Sequence, residues 1–435
     1  MIDNLLKNKI FTNVVWLLSE KIISVVGLLF VTSYVAKYIG PDNFGKLNIS
    51  VYYYSIIQTI ALWGSDTIGI KRISKSLTSG MNFLFSFVSY RFFVFLIVSS
   101  ITEFYLYFTF DKLTFYFSLA VCASSLFSVL DVFNSYNEAR LKSFFNVIAN
   151  VIGIFVSLII RFVIAHFELS PIYLCISIIC TGLVPFIIRS IIFLKTHDTV
   201  TIKRISFKKD YIKYGIVTGT GLLISSVSVM IYVNISRVLL GYYNTLSDVG
   251  IYSVAMTLGT MWGFINNAIV VSITPKLYSA NNSNTNETTA FTCQILMIIG
   301  LCYFMFFYIF GGFIVESLYG ESYSAAYSVT FFLISSTCLS GLGMAISRYI
   351  ISLNGYSYLA KKSFFVVIFG GGAAIFLISH YGLIGASMSA CFIELISVSF
   401  LNLFFRTDLM IKLFINILNF RKFFDTFYDI FKKRT

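Results

Sequence analysis

Charge is what this chain has least of. Asp, Glu, Lys and Arg supply 12% of its 435 residues, about half the share found in ordinary soluble domains, which excludes a sizeable water-soluble domain. Four prolines and 27 glycines leave no composition from which to build a low-complexity linker. The three histidines, His166, His197 and His380, stand far apart in sequence, unlike the closely spaced ligands of a metal centre. No Walker loop is present, so ATP hydrolysis is not encoded here. The seven cysteines, Cys122, Cys175, Cys180, Cys293, Cys302, Cys338 and Cys391, all lie inside apolar runs and none forms a CxxC pair; they read as small hydrophobes. No metal and no cofactor is expected.

What fills the chain instead is apolar: 57% hydrophobic residues, with 47 Phe and 28 Tyr. A helix needs about 20 apolar residues to cross the roughly 30 Å of hydrocarbon in a bilayer, and runs of that length recur from Asn13 to Arg406. The spans are placed at 13–38, 45–66, 82–102, 113–135, 144–165, 171–194, 214–240, 249–273, 290–314, 326–351, 363–380 and 383–405. The expected fold is therefore an all-α integral membrane protein of about twelve transmembrane helices in two six-helix lobes. The first run carries Glu20 and Lys21 and lacks a small-residue cleavage site, so it does not read as a signal peptide.

Cationic loops resist translocation and stay in the cytoplasm. With the N-terminus inside, 23 of the 32 basic residues fall in cytoplasmic segments and three, Lys37, Lys46 and Lys112, at outer ends or loops. Both termini are thus expected in the cytoplasm of a multi-pass membrane protein. The net charge of +13 reflects topology, and nucleic acid is not an expected partner. The basic segment from Lys195 to Lys213 parts the spans six and six, giving an N-terminal lobe over 1–200 and a C-terminal lobe over 201–405. Residues 406–435 mix Leu, Ile and Phe with Lys and Arg and read as an amphipathic tail drawn to anionic membrane lipid. The halves echo each other. YIGPDNFGKL (38–47) corresponds to LLGYYNTLSDVGIY (239–252), and KSFF opens the fifth span of each half, at Lys142 and Lys362, a pattern of parallel repeats.

Ionisable groups inside a bilayer cost at least about 2.5 kcal/mol each and face a wet cavity or a partner. Six cations (Lys21, Arg91, Arg161, Arg189, Arg237, Arg348) and four acids (Glu20, Asp66, Asp131, Glu394) fall within the spans. The balance is positive and suits an anionic headgroup. Lys21 lies too deep to snorkel easily and reads as cavity-lining or paired; Arg91, near mid-span, reads as a phosphate contact or an ion pair joining helices. Arg161, Arg189, Arg237 and Arg348 lie nearer span ends, where long cations snorkel. Asp66 and Asp131 are expected in ion pairs with Lys71, Arg72 and Arg140. Glu394, mid-span, is either paired or an ion-coupling group. Asn234 and Asn266 suit hydrogen bonds to sugar hydroxyls or between helices. Gly215 and Gly219 form a close-packing motif, and Pro185 and Pro275 are expected to kink their helices.

The stretches WLLSEKI (16–22), YVAKYIGPDNFGKLNIS (34–50), WGSDTIGIKRISK (63–75), VNISRVLLGYYNTLSDVGIYSVA (233–255), LYGESYSAAY (318–327) and HYGLIGASMSACFIE (380–394) resemble, in order and over nearly the whole chain, Wzx-type polysaccharide flippases. That family shares a superfamily with MATE exporters and lipid II flippases. The resemblance implies transport of an undecaprenyl-diphosphate-linked oligosaccharide, such as an O-antigen repeat unit, from the cytoplasmic to the periplasmic leaflet by alternating access. A polysaccharide polymerase and a chain-length regulator are the implied protein partners. Glu20 and Lys21 fall on the family's Glu-Lys pair, and Gly40, Pro41, Gly45, Gly241, Gly250 and Tyr252 on its loop signatures. Many relatives carry Asp where this chain has Ser236, beside Arg237, which adds Arg237 to the substrate candidates. The expected substrate-binding set is Lys21, Arg91, Arg237, Asn234 and Asn266, with Glu20 and Glu394 as ion-coupling candidates and no catalytic residue. The alternatives are an O-antigen polymerase, disfavoured by outer connections of about ten residues, and a MATE-type multidrug exporter, which would call for an acidic cavity.

Overall fold

In lipid an apolar run satisfies its backbone groups only by closing its own hydrogen bonds, and the helix does so within one segment. The computed structural model describes residues 27–196, 207–279 and 282–419, and no strand occurs among them. Among the described residues, eight helical segments are long and apolar enough to cross a membrane, nine if one bent helix is counted. The all-α membrane reading holds. Contacts gather the chain into two units, Met1–Asn234 and Ile235–Thr435.

In the first unit, a π turn (Leu28–Thr32) leads into α1 (Ser33–Leu62). Its backbone leaves the helix at Gly40, where φ is +75° and ψ 168°. A residue with a Cβ is strained there, and Pro41 restarts the helix with a pre-set φ and no orphaned N–H, which is why the expected boundary between spans one and two falls at this dipeptide. A corner at Trp63 (φ 49°) and Gly64 (φ 66°) then turns the chain into α2 (Ser65–Lys75), followed by α3 (Leu77–Thr109). Next come α4 (Lys112–Leu130), α5 (Val132–Ala139), α6 (Ser143–His166) and α7 (Leu174–Thr196). A cluster of Ile68, Ile73, Met81, Phe83, Leu84, Phe87, Val132, Tyr136 and Phe193 forms one core of this unit. Gly153 of α6 faces the ring of Pro185 in α7, where a Cβ would lie 2.6 Å from Pro185 Cγ; α7 runs through this proline as one helix.

α8 (Lys209–Tyr243) runs from the first unit into the second and bends by 55° between Lys209–Ser228 and Val233–Tyr243. The second unit continues with α9 (Leu246–Thr260), opened by a capping box between Thr245 and Asp248, then α10 (Gly263–Ser279) and α11 (Asn282–Tyr319). It closes with α12 (Ala325–Ser352), α13 (Tyr356–Val398), α14 (Phe400–Leu403) and α15 (Thr407–Leu418). α13 leaves helical geometry at Gly382 (φ 53°, ψ −127°), between the two spans expected there. Lys362 does not open this helix as the KSFF repeat suggests, since the helix begins at Tyr356; the first copy does open α6.

α15 lays Met410, Leu413 and Ile417 into the second unit's core, and the Gln294 amide donates to the carbonyls of Asn416, Ile417 and Asn419 at its end, each at 3.1 Å. Ile411, Ile415 and Leu418 remain exposed, so its apolar residues divide between a protein-facing and an outward stripe. Residues 420–435 of the expected tail lie outside the described residues.

Between α3 and α4, Asp111 caps α4 by accepting from the Thr114 backbone, and Lys46 bridges it at 2.9 Å and Asp42 at 2.8 Å. Partial burial works to raise the Asp111 pKa, but the Thr114 hydrogen bonds and the Lys46 charge outweigh it and hold the carboxyl below its ordinary value. A depressed carboxylate adds stability above its unfolded pKa of about 3.9, and that increment fades as pH falls through the lower, folded value. Because Asp111 is 47% exposed, the increment stays under about 1 kcal/mol. D111N should melt slightly below the native protein at pH 7, and the gap should shrink as pH falls below about 4. A gap that widens towards acid would contradict this.

Candidate functional site

Two ion-pair networks lie within the first unit. Arg91 of α3 is fully buried. Its Nε donates to Ser65 Oγ at 2.8 Å, one terminal nitrogen to the Val129 carbonyl at 3.3 Å and the other to Asp66 Oδ1 at 2.7 Å. Ser135 Oγ donates to the same carboxylate oxygen at 2.8 Å, so one guanidinium links α2, α3, α4 and α5. Asp66 pairs with Arg91 and not with Lys71 or Arg72, which follow it on α2 and are the partners expected from sequence. The reason is position: Asp66 opens α2 at its buried end, beside the returning α3.

Asp131 holds the second network. Its Oδ1 accepts from the backbone N–H groups of Phe133 and Asn134, capping α5, while Oδ2 accepts from Arg189 of α7. Arg189 also donates to Asn150 of α6. The expectation that Arg189 snorkels is corrected: it is 7% exposed, because the Asp131 carboxylate and the Asn150 amide oxygen give its guanidinium opposite charge and hydrogen-bond acceptors inside the unit. Asp131 pairs with Arg189 and not with Arg140. Beside it, Asn137 donates to Asn146 at 2.8 Å, and Asn146 to the Asn134 carbonyl at 3.0 Å.

Asn234 is buried and donates to Ser55 Oγ at 3.2 Å and to the Met230 carbonyl at 3.0 Å. In the second unit, Arg237 is half-buried, and the adjoining Ser236 lies 3.3 Å from Ser389 Oγ. Asn266 donates to the Thr337 carbonyl at 3.2 Å, and its buried Oδ1 has no hydrogen-bond partner among the described residues. Glu394 is half-buried in α13, close enough for its charge to act on Lys362. Lys362 is itself buried and donates to Asn402 at 2.9 Å. Glu20 and Lys21 lie outside the described residues. Arg91 and Asn234 in the first unit therefore sit with different partners, as do Arg237, Asn266 and Glu394 in the second.

Sequence reasoning missed three features. Glu103, assigned to an outer connection, lies inside α3: its Oε1 accepts from Tyr54 at 2.5 Å and from Ser118, and its Oε2 is buried without a hydrogen-bond partner among the described residues. Arg72, expected to pair with Asp66, lies over the rings of Tyr214, Tyr211 and Phe83 at 4.3, 4.9 and 5.5 Å, a cation–π arrangement. Third, a cavity of about 610 Å³ opens between α3 and α8, lined by Ser89, Tyr90 and Phe93 on one side and by Lys209, Lys213 and Ile216 among others on the other. No local pattern signals any of these, since each depends on which helices become neighbours.

A family model described as polysaccharide biosynthesis protein matches residues 34–328. No curated protein matches the sequence. Among solved structures, a lipid II flippase MurJ in an inward closed conformation aligns with a TM-score of 0.68 at 14% identity, covering 96% of this chain and 99% of that one. An inward-facing multidrug resistance MATE family transporter of the MOP superfamily aligns with a TM-score of 0.65 at 14% identity, covering 90% and 98%. A mutant of the Vibrio cholerae MATE transporter VcmN aligns with a TM-score of 0.56 at 14% identity, covering 94% and 100%.

Proposed function

The chain belongs to the polysaccharide biosynthesis protein family, and from that premise we propose that it is a flippase for a polyprenyl-diphosphate-linked oligosaccharide, working by alternating access in the bacterial inner membrane. The observation that carries the reading is the family match on a fold shared with a lipid II flippase. The two six-span lobes, 1–200 and 201–405, rock against each other, and the polyprenyl tail stays in lipid while the diphosphate and sugars cross. Lys21 and Arg237 meet the diphosphate, and Asn266, with a buried carbonyl oxygen still unmatched, meets sugar hydroxyls. Arg91 is better read as an anchor, because its guanidinium is fully buried among four helices. Asn234 is held between its own helix and Ser55 and contributes at the ligand only when that pairing opens. Glu20 and Glu394 are the coupling candidates if an ion gradient drives the cycle, and transport in vesicles that ignores both proton and sodium gradients would remove that role. A polymerase and a chain-length regulator would act on what this protein delivers.

Deletion of the gene, with complementation by this chain, tests the function. Lipid-linked repeat units should accumulate on the cytoplasmic face while surface polymer disappears, and complementation should reverse both. Single unpolymerised units reaching the surface would instead indicate a polymerase. Unchanged glycan with altered drug resistance would indicate an exporter.

A further inference from the structure

The cavity between α3 and α8 has the form of a lipid site. Its walls are Tyr90 and Phe93 from α3 facing Ile212, Ile216 and Val217 from α8, with Phe207 at one end. Phe93, Phe207 and Val217 are 62%, 58% and 72% exposed. Lys209 and Lys213, one helical turn apart on α8, line the same space, and both are exposed.

The depth of these lysines follows from one hydrogen bond. The Lys208 backbone N–H donates to Ser86 Oγ at 2.9 Å, so α8 begins level with Ser86, nine residues into α3. A helix of 33 residues is about 50 Å long, against roughly 30 Å of hydrocarbon. The level of Ser86 therefore lies near the headgroup boundary at the basic end, which the charge bias assigns to the cytoplasm. Lys209 and Lys213 sit where phosphates lie, and the aromatic and aliphatic walls continue into the acyl region.

We propose that this groove binds an anionic glycerophospholipid of the inner leaflet, its phosphate held by Lys209 and Lys213 and one acyl chain lying along Phe93, Ile216 and Val217. Charge complementarity selects the occupant, since basic pockets between transmembrane helices recognise anionic headgroups, and each lysine adds about fivefold in affinity. The bound lipid clamps the start of α8 against α3. The inference does not depend on the transported substrate.

Trp63 reports on the site, because its Nε1–H donates to the carbonyl of Ile216 at 3.3 Å and its ring lies edge-on to Tyr90, centroids 5.5 Å apart. In full-length protein reconstituted in nanodiscs, phosphatidylglycerol with brominated chains should quench the component of fluorescence that W63F abolishes, and should do so at several-fold lower mole fraction than brominated phosphatidylcholine. K209Q/K213Q should erase the difference between the two lipids, while K209R/K213R should keep it. Equal quenching by both lipids in the native protein would overturn the proposal. So would displacement of the brominated lipid by polyprenyl diphosphate at a lower molar ratio than by unlabelled phosphatidylglycerol, which would assign the groove to the carrier lipid.

Discussion

R91A should cost the protein much of its stability. The substitution removes a guanidinium that is fully buried and serves Ser65, Asp66 and the Val129 carbonyl, and it strands a carboxylate at the start of α2. Breaking a buried pair by deleting one partner costs about 3–5 kcal/mol, and because Asp66 keeps Ser135 and partial access to water, the loss falls toward the lower end of that range. R91A should yield little monodisperse protein from detergent and melt far below the native form. D66A should be milder, because Asp66 is 36% exposed in its side chain and the stranded arginine keeps two of its three partners. R91M/D66L, which removes both charges and restores volume, should recover much of the loss. If R91A melts with the native protein, the network is not a structural anchor.

The same variants separate anchoring from ligand binding. An anchor acts through the amount of folded protein, so R91M/D66L should flip substrate at near-native rate per folded molecule. A phosphate contact would instead be lost in the double variant however well it folds. Arg189, tied to Asp131 and Asn150, is expected to behave as Arg91 does. Both networks lie within the first unit and cross-link α2 to α7, which fits a lobe that moves as one body.

Composition and run length made the membrane fold legible, because hydropathy over twenty residues survives any detail of packing. The boundaries at Gly40 and Gly382 were legible too: each stands between two apolar runs beside turn-forming residues, and each takes a positive φ. Burial was not legible. Phe93 is 62% exposed and Phe95 is 0% exposed on the same helix, since in a membrane both lipid and protein accept an aromatic ring and periodicity loses its contrast. The ion pairs were misassigned for a related reason. Sequence proximity offers Asp66 the nearby Lys71 and Arg72, but those side chains reach water or aromatic faces, and the partner is chosen by who shares the buried side. The binding candidates Asn234 and Asn266 were found by residue type, and their partners Ser55 and Thr337 could be found only from the tertiary arrangement.

G219A and G221A, two residues apart on α8, should change stability in opposite directions. A Cβ at Gly219 would lie 2.4 Å from the Trp63 carbonyl oxygen and 2.8 Å from its Cδ1. Neither can yield cheaply, because Trp63 sits at φ 49° ahead of Gly64 at φ 66° and its indole is bonded to Ile216. Overpacking against a fixed backbone costs about 1–3 kcal/mol, and here it would push α8 away from the corner between α1 and α2. Gly215, one turn earlier, would meet the Phe87 ring at 2.4 Å, but a ring can shift, so G215A should cost less than G219A. A Cβ at Gly221 meets nothing within 4 Å, and replacing an unconstrained helical glycine by alanine gains about 0.5–1 kcal/mol through the unfolded chain. Thermal melts of the three variants should therefore rank G221A above native, then G215A, then G219A. If G219A equals G221A, the close approach of α8 to Trp63 is not what holds this helix to the first unit; if the ranking stands, the small-residue spacing of Gly215 and Gly219 marks the face on which α8 is seated.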